Sequence, residues 1–526
     1  MRINTLNFRF GVISTAQYRK HRAQADLKSG IISDYKSIYY NAVGFLLHAV
    51  TQASQRAERQ IRLSGSKVLR LGCAKKASTF SCISQNLIVP LSPMKRFVSY
   101  LCLMMGLLLW GIINVAAESR MDSVLNLSRR ANDYFMRTVP DPTANSVTDK
   151  VRPSHIWTRG VYYEGLMGLY EIDPQERYID YTDTWADSHD WSPRSTIWRI
   201  HADDQCCTQT YMMRYFQVGG AKKYAGAKAD FDSQIWGNDR SVHNRDWTWI
   251  DARQMAMPAL AMLYRITDDR RYMEFAMQSY LWTRNSCGGG PLFVESEGLW
   301  WRDAALRGVK ENDGKNSYWS RGNGWVYAAL VRVMDQLDMM SPVREDDMRD
   351  FHAPLQRDFL LMSKAIVECQ REDGFWNASL VSTAYNGPEL TGTGLFLYGL
   401  AWGLRKGLLT EPIYREAADR AWSACAACVH ENGFLGYVQG TSDRPSKGWP
   451  FTYDGVPNFE DFGLGCFLLG TTEYYKWLKE QSGETGLTSP TAPLQRRGEY
   501  YDLQGRRVTE MKRGEIYILN GKKVTN

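Results

Sequence analysis

The feature that most constrains this 526-residue chain is a recurring unit of helix, polar turn and second helix between about residues 120 and 480. Six stretches place small and large apolar residues at helical spacing, so each forms one apolar stripe. They are residues 160–172, 210–218, 253–266, 325–337, 394–407 and 462–478. Several are followed by a polar turn and by a tyrosine that opens the next helix, namely Tyr178, Tyr224, Tyr272 and Tyr414.

The spacing of these units predicts a ring. Tyr178 and Tyr224 are 46 residues apart, and Tyr224 and Tyr272 are 48 residues apart. A near-constant period of this size is typical of a solenoid or a closed array. Because six helical pairs favour closure, we predict an all-α fold, a six-hairpin (α/α)6 toroid with loops at one end around a central funnel. An open superhelix is the alternative.

Residues 94–117 predict export. The segment begins with Met-Lys-Arg, continues without a charged residue from Phe97 to Ala117, and ends in small residues. A basic start, an apolar run and a small-residue cleavage site form the pattern of a signal peptide. The length of the run also suits an uncleaved anchor. We therefore expect a bacterial protein that is periplasmic, displayed at the cell surface or secreted.

Charge is unevenly distributed along the chain. The formal net charge is +7, yet residues 1–93 contain 14 Lys and Arg against three acidic residues and so carry +11 alone. Residues 118–526, which follow the signal peptide with its Lys95 and Arg96, carry −6. A nucleic-acid partner is therefore not expected. We interpret residues 1–93, which are polar and weakly periodic, as a non-native upstream extension.

The composition changes again after the helical region, which we bound at residues 118–480. Residues 481–494 have the Gly, Ser, Thr and Pro content of a flexible linker. Residues 495–526 alternate apolar and polar side chains, with turn signals at Gln504-Gly505 and Asn520-Gly521. We predict a short β-rich tail. It resembles the C-terminal tails of secreted Bacteroidetes-type proteins, which act as export or attachment signals.

Two stretches rich in aromatic and acidic residues precede predicted inner helices. Asp251 follows Trp249 and directly precedes an apolar helix. Burial among indoles raises the pKa of a carboxyl group and suits a general acid, although a helix N-cap is an equally good interpretation. Asp203 and Asp204 adjoin His201, and such a pair can share a proton, bind a cation or cap a helix. With Asp251 they supply the two acids that glycoside cleavage usually requires.

The string YWSRGNGW, residues 318–325, frames Arg321 with Trp319 and Trp325. An arginine fixed between two indoles is suited to bidentate recognition of a carboxylate, which indicates a uronic acid. Gly322 and Gly324 are expected to let the backbone turn tightly. A plain turn wedged into the core is the alternative. Cys425 and Cys428 have metal-like spacing but no second ligand pair, so we expect buried thiols and no metal or cofactor.

The strings WSRGNGWV, ADDQC, WTWIDA and TGTGLFLYGLAWG, over about residues 150–478, resemble glycoside hydrolase family 105, the unsaturated rhamnogalacturonyl hydrolases of pectin degradation. The resemblance implies a six-fold α/α barrel. It also implies removal of a 4,5-unsaturated uronic acid from the non-reducing end of oligosaccharides that a polysaccharide lyase has released. Galacturonyl and glucuronyl substrates are both compatible with these motifs.

The resemblance also implies residue roles. Asp251 becomes the general acid that protonates the C4=C5 enol ether, and Asp203 becomes the second aspartate unless the match shifts by one residue to Asp204. The sugar-binding wall comprises Trp249, Trp319, Arg321, Trp325 and His243, with Arg321 toward the carboxylate. An ordinary glycosidase or polysaccharide lyase on the same toroid is one alternative, and a non-catalytic sugar-binding protein is another.

Overall fold

The computed structural model describes residues 120–147, 150–194, 201–236, 247–455 and 460–482, together with four short strands between residues 500 and 525. The predicted upstream extension (1–93), the signal peptide (94–117) and the linker from residue 483 on lie outside the described residues. Within the described residues, the predicted helical region starts at residue 120, and its last helix ends at Gln481.

Helices alternate between an inner and an outer layer. The outer helices are α1 (residues 120–138), α3 (Glu176–Ser188), α6 (Lys222–Trp236), α8 (Arg271–Asn285), α11 (Ala353–Glu368) and α13 (Pro412–Ala427). The inner helices are α2 (Trp157–Ile172), α5 (Cys207–Val218), α7 (Ala252–Thr267), α9 (Ser320–Asp338), α12 (Leu390–Arg405) and α14 (Glu460–Gln481). Two short helices, α4 (Ala202–Gln205) and α10 (Glu345–Asp347), complete the set, and a π-helical turn, Met348–His352, joins α10 to α11.

The inner helices are apolar on nearly all faces because they are covered on both sides. In α12 every residue from Leu390 to Gly403 is buried, and none of them carries a charge. A helix that is hydrophobic all round is the expected consequence of enclosure between a neighbouring layer and the ring interior. The outer helices, in contrast, bury one face only; α3 buries Tyr178, Tyr181 and Trp185 and exposes its acidic side.

The ring closes between its first and last inner helices. Each inner helix packs on the next, and α14 packs on α2. Gly165 and Gly465 face each other at this crossing, where an added Cβ on Gly165 would lie 2.7 Å from the carbonyl oxygen of Gly465. The absence of side chains lets the two backbones touch. The predicted closed toroid is therefore confirmed, and the open superhelix is excluded.

Short antiparallel hairpins decorate the ring. They are β1 (Ser146–Val147) with β2 (Val151–Arg152), and β3 (Phe293–Val294) with β4 (Leu299–Trp300). The tail contains β5 (Tyr500–Tyr501), β6 (Arg507–Val508), β7 (Ile516–Leu519) and β8 (Lys522–Thr525), in the order β6-β5-β7-β8. Leu519 pairs with Lys522, and the predicted turn residues Asn520-Gly521 lie outside the described residues. Among the described helices, none is long and apolar enough to cross a membrane.

Candidate active site

The N-terminal ends of the inner helices surround a cavity of about 430 Å³. Six of the predicted site residues line it: Asp203, Trp249, Asp251, Trp319, Arg321 and Trp325. They come from α4, from the segment before α7 and from the start of α9, so the toroid brings together positions more than 100 residues apart. Of the two remaining predictions, His243 lies outside the described residues, and Asp204 is fully buried behind the cavity wall.

Asp251 lies at the N-terminal boundary of α7 without acting as its side-chain cap. Its carboxylate makes no capping hydrogen bond, so the capping interpretation is wrong. One oxygen, Oδ2, instead accepts a hydrogen bond from Nε of Arg302 at 3.2 Å. Only 9% of Asp251 is exposed. Burial raises the pKa of this carboxyl group, and the neighbouring guanidinium of Arg302 partly opposes that rise.

Asp203 faces the same cavity from α4, where His201 takes the capping position. The ring nitrogen Nδ1 of His201 accepts a hydrogen bond from the backbone N–H of Asp203 at 3.2 Å. The Asp203 carboxylate therefore does not serve as the cap, and its side chain remains 28% exposed. Burial, together with the negative charges of Asp251 and Asp204, raises the pKa of Asp203 to about 7. One proton is thus held among these carboxylates at neutral pH.

The adjacent Asp204 occupies a different environment. Its side chain is enclosed by protein, and Nη1 of Arg194 lies 3.7 Å from its Oδ1. Arg194 itself lines the cavity. Since Asp203 reaches the cavity and Asp204 does not, the acid pair that can meet a ligand consists of Asp203 and Asp251.

Sequence reasoning missed Arg302, which follows β4. Its Nε donates to Asp251, and its Nη1 donates to Oδ2 of Asp303 at 2.7 Å. The side chain is 22% exposed and lines the cavity. The string LWWRD combines aromatic and charged residues as the recognised motifs do, so a signal was present. It was overlooked because it lies in a loop and does not precede an inner helix.

The structure places Arg321 differently from the prediction. Its guanidinium lies over the rings of Trp319, at 4.8 Å, and Phe462, at 5.1 Å, and not between Trp319 and Trp325. Nη1 and Nη2 donate to the backbone carbonyls of Gln439 and Gly440, each at 2.7 Å. Both outer nitrogens therefore hold the 439–440 loop, whereas the sequence predicted a fork free to bind a carboxylate.

Gly322 and Gly324 also serve another purpose than the predicted tight turn. Both lie in the first turns of α9, and neither has a positive φ. An added Cβ would lie 2.8 Å from the Trp319 ring at Gly322 and 2.9 Å from Leu395 at Gly324. These glycines therefore permit close packing around the start of α9. The string forms a helix start and not a wedged turn.

Aromatic rings form the remaining wall of the cavity. Trp319 and Trp325 are each 1% exposed, so they contribute edges and support. Trp249 and Trp157 are only partly buried, and they offer ring faces to a ligand. Trp157 packs edge-on against Trp325 at 6.4 Å, while His201 lies 5.0 Å from Trp249. Sugars stack on such faces through their C–H bonds.

The described part of the chain contains no group of three or more His, Cys, Asp or Glu residues that could hold a metal ion. Cys425 and Cys428 are buried thiols at the end of α13 and beyond it. The side chains that line the cavity include carboxylates, arginines and indoles.

Known proteins are similar to this chain over its helical region. The model of Glycosyl Hydrolase Family 88 matches residues 127–478. The unsaturated 3S-rhamnoglycuronyl hydrolase of Formosa agariphila is 31% identical over 341 residues, which cover 61% of this chain and 84% of that protein.

Solved structures give the same result. A glycosyl hydrolase family 88 protein from Bacteroides vulgatus is 28% identical, with a TM-score of 0.59, covering 68% of this chain and 99% of that one. A Salmonella enterica protein described as a possible family 105 member is 18% identical, with a TM-score of 0.53, covering 68% and 94%, and shares the fold. The toroid is confirmed, as is the type of enzyme indicated by the motifs, since families 88 and 105 are closely related.

Proposed function

Because this chain belongs to glycosyl hydrolase family 88, we propose that its cavity hydrates the C4=C5 bond of a terminal unsaturated uronic acid, with Asp251 as the general acid. The protein is a glycosidase that removes unsaturated uronic acid residues from oligosaccharides. What we add is the assignment of that reaction to particular side chains: Asp251, Asp203 and the indoles of Trp157 and Trp249.

The proposed reaction conserves protons at Asp251. The protonated carboxyl group transfers its proton to C4, which leaves positive charge at C5 and on the ring oxygen. Water adds at C5 and returns one proton to the carboxylate. The hemiketal at C5 then opens to a ketone, and the hemiacetal at C1 expels the aglycone. Asp203 lies within electrostatic reach of Asp251. When the shared proton resides on Asp251, Asp203 is ionised, and its negative charge favours the cationic transition state.

The observation that carries this proposal is the pair of desolvated carboxylates in one aromatic cavity. A general acid must hold a proton at the working pH, and neighbouring buried carboxylates achieve this by mutual repulsion. The pKa of Asp203 is raised to about 7 by burial and by Asp251 and Asp204. Activity that depends on the shared proton should therefore fall as the pH rises through about 7.

The substrate that we propose is a unit in which an unsaturated uronic acid is linked to rhamnose. The relative from Formosa agariphila is described as a rhamnoglycuronyl hydrolase, and the sequence motifs resemble rhamnogalacturonyl hydrolases. Both descriptions share rhamnose as the neighbouring sugar. Pectin-derived rhamnogalacturonan is accordingly a natural first substrate, beside glucuronyl-rhamnose oligosaccharides.

The test uses oligosaccharides generated by polysaccharide lyases, whose conjugated double bond absorbs in the ultraviolet. Hydration destroys the conjugation, so absorbance should fall when the protein is added. A polysaccharide lyase acting on intact polymer should raise the absorbance, and a sugar-binding protein should leave it unchanged. A panel of galacturonyl and glucuronyl oligosaccharides identifies the preferred substrate. No loss of absorbance with any of them contradicts the proposal.

We also propose that the protein is exported, with residues 94–117 as a cleaved signal peptide. The support is the basic start, the uncharged apolar run and the small residues before Glu118. N-terminal sequencing of the native protein should begin at Glu118. Recovery of residues from 1–93 would contradict both cleavage and the interpretation of that segment as a non-native extension.

A further inference from the structure

A substrate carboxylate buried in this cavity needs a cationic partner, because an unpaired charge away from water is strongly unfavourable. The cationic side chains that line the cavity are Lys150, Arg152, Arg194, Arg302 and Arg321. Arg302 donates a hydrogen bond to Asp251, and Arg321 lies over the indole of Trp319. These two differ in the hydrogen-bond donors that they have left. The donors that are free and exposed to the cavity decide which arginine can receive an anion.

Both outer nitrogens of Arg321 already donate to protein groups. Nη1 bonds to the carbonyl of Gln439 and lies 3.4 Å from Oγ1 of Thr391, and Nη2 bonds to the carbonyl of Gly440. The residue is 1% exposed, and its remaining Nε is enclosed by protein. Because it is almost completely enclosed, Arg321 offers a carboxylate little access while it holds the 439–440 loop. It is a positioning residue that holds this loop on α9, beside Thr441 and Ser442 of the cavity wall.

Arg302 retains a donor. Nε bonds to Asp251 and Nη1 bonds to Asp303, but Nη2 makes no hydrogen bond to any residue that the structure describes. The side chain is 22% exposed on the cavity side. An arginine presents five N–H groups in a planar fork, so a second anion can bind beside the first without displacing it.

We propose that Arg302 receives the carboxylate of the substrate and thereby couples its binding to the protonation of Asp251. This inference rests on the proposed function. In the free enzyme the positive charge of Arg302 stabilises ionised Asp251. A second carboxylate on the same guanidinium adds a negative charge nearby, which raises the affinity of Asp251 for a proton. Binding of the substrate carboxylate thus favours the protonated form of Asp251, the general acid.

Several other charged groups surround this contact and shift its protonation. Asp203, Asp204 and His201 come from the α4 region, Arg152 from β2, Arg321 from α9, Asp303 from the segment after β4 and Asp443 from the 441–455 loop. Among them Asp203 responds in the same direction as Asp251, because Arg302 also lowers its pKa. The expected signature is therefore net proton uptake by the pair when an anionic sugar binds.

The first test compares the binding of D-galacturonate and D-galactose. The two sugars differ in the carboxylate, and neither has a C4=C5 bond that the protein could hydrate. Calorimetric titration of the wild-type protein should show tighter binding of galacturonate. Its observed heat should vary with the ionisation enthalpy of the buffer in the sense of proton uptake. Arg302→Gln should lose roughly 10- to 100-fold of that preference, the equivalent of one hydrogen bond to a charged group.

A matched control removes a nearby positive charge outside the cavity. Arg444 pairs with its neighbour Asp443 and is 52% exposed. Arg444→Gln should preserve both the galacturonate preference and the proton uptake. If Arg302→Gln keeps the preference while Arg321→Lys abolishes it, Arg321 is the receptor after all, and the inference is wrong.

The second test uses turnover of unsaturated oligosaccharides. Loss of Arg302 raises the pKa of Asp251 in the free enzyme, so Arg302→Gln should move the alkaline limb of kcat/KM to higher pH while raising KM. Arg302→Lys keeps the charge, so it should keep the limb and raise KM alone. A merely structural role predicts lower activity with no displacement of the limb, and that result overturns the coupling. Absence of turnover by the wild-type protein instead contradicts the proposed function, whichever way the sugar titrations turn out.

Discussion

The two ends of the barrel both contain charged cavities, but they use charge in opposite ways. The cavity at the C-terminal ends of the inner helices has a volume of about 340 Å³, comparable to the candidate active site. There Lys476 contacts Glu171 and Glu473, and Arg405 contacts Glu473 and Glu480. At the N-terminal end Asp203 and Asp251 repel each other. What distinguishes the candidate active site is therefore uncompensated charge and not the number of charged residues.

The protonation of the two ends follows from this contrast. Pairing raises the pKa of Lys476 above its ordinary value although the residue is enclosed, and the contacts of Arg405 act in the same direction. Those groups stay ionised across the physiological range. At the other end burial and repulsion bring the pKa of Asp203 to about 7, where a small change in pH alters its charge. A carboxyl group whose pKa lies near 7 is suited to proton transfer at neutral pH.

The largest expected effect is on turnover. Asp251→Asn keeps the shape of the side chain but cannot donate an acidic proton, so kcat should fall roughly 10²- to 10⁴-fold. Binding of the oligosaccharide should be retained. The control is Glu480→Gln at the opposite end, which should leave kcat unchanged. Near wild-type turnover of Asp251→Asn would transfer the role of acid to Asp203.

The next effect concerns stability at the lower end. Glu473 is buried and contacts both Arg405 and Lys476, at 2.6 and 3.4 Å. Glu473→Gln removes the anion that both cations share, although each keeps a second carboxylate, so the free energy of unfolding should fall by about 1.5–3 kcal/mol. Urea denaturation measures the change, while KM should be unaffected at temperatures where the variant is folded. An unchanged denaturation midpoint would mean that solvent compensates these charges.

A smaller loss is expected at Arg321, on the border between structural and catalytic roles. Lysine can satisfy only one of the two carbonyls of Gln439 and Gly440 that the guanidinium holds. Leaving the other buried carbonyl unpaired should cost about 1–3 kcal/mol of unfolding free energy. Thermal unfolding of Arg321→Lys tests this. Full stability combined with a large rise in KM would restore the carboxylate clamp that the sequence suggested.

The smallest effect has the opposite sign. Because the pKa of Asp203 is raised to about 7 in the folded state, its contribution to stability is complete below its unfolded pKa and is lost as pH rises through about 7. Asp203→Asn should therefore stabilise the protein above pH 7, by about 1–2 kcal/mol after allowing for solvent screening, and not at pH 4. Unfolding at both pH values measures it. A loss of stability at pH 8 would contradict the repulsion between Asp203 and Asp251.

The extent of sequence-based prediction differs between the ring and its site for a physical reason. Apolar periodicity is local, so the inner helices and their closure follow from spacing alone. Asp251 and Trp249 were found because they immediately precede such a helix. Arg302 follows a two-residue strand in a loop without a period, and the partners of Arg321 are backbone carbonyls 118 and 119 residues away. No side-chain pattern identifies a backbone acceptor, so its occupied donors became apparent only in three dimensions.

The contact between α2 and α14, which closes the ring, forms only when both ends of the helical region are present. Gly165 and Gly465 touch across 300 residues of sequence, so this contact cannot form until nearly the whole toroid has been synthesised. Contacts of such long range are formed late because chain entropy opposes them. A chain that ends before α14 lacks one inner helix of the ring, so the interior of the ring stays open to water and to proteases. The ring can therefore close only once α14 has been synthesised.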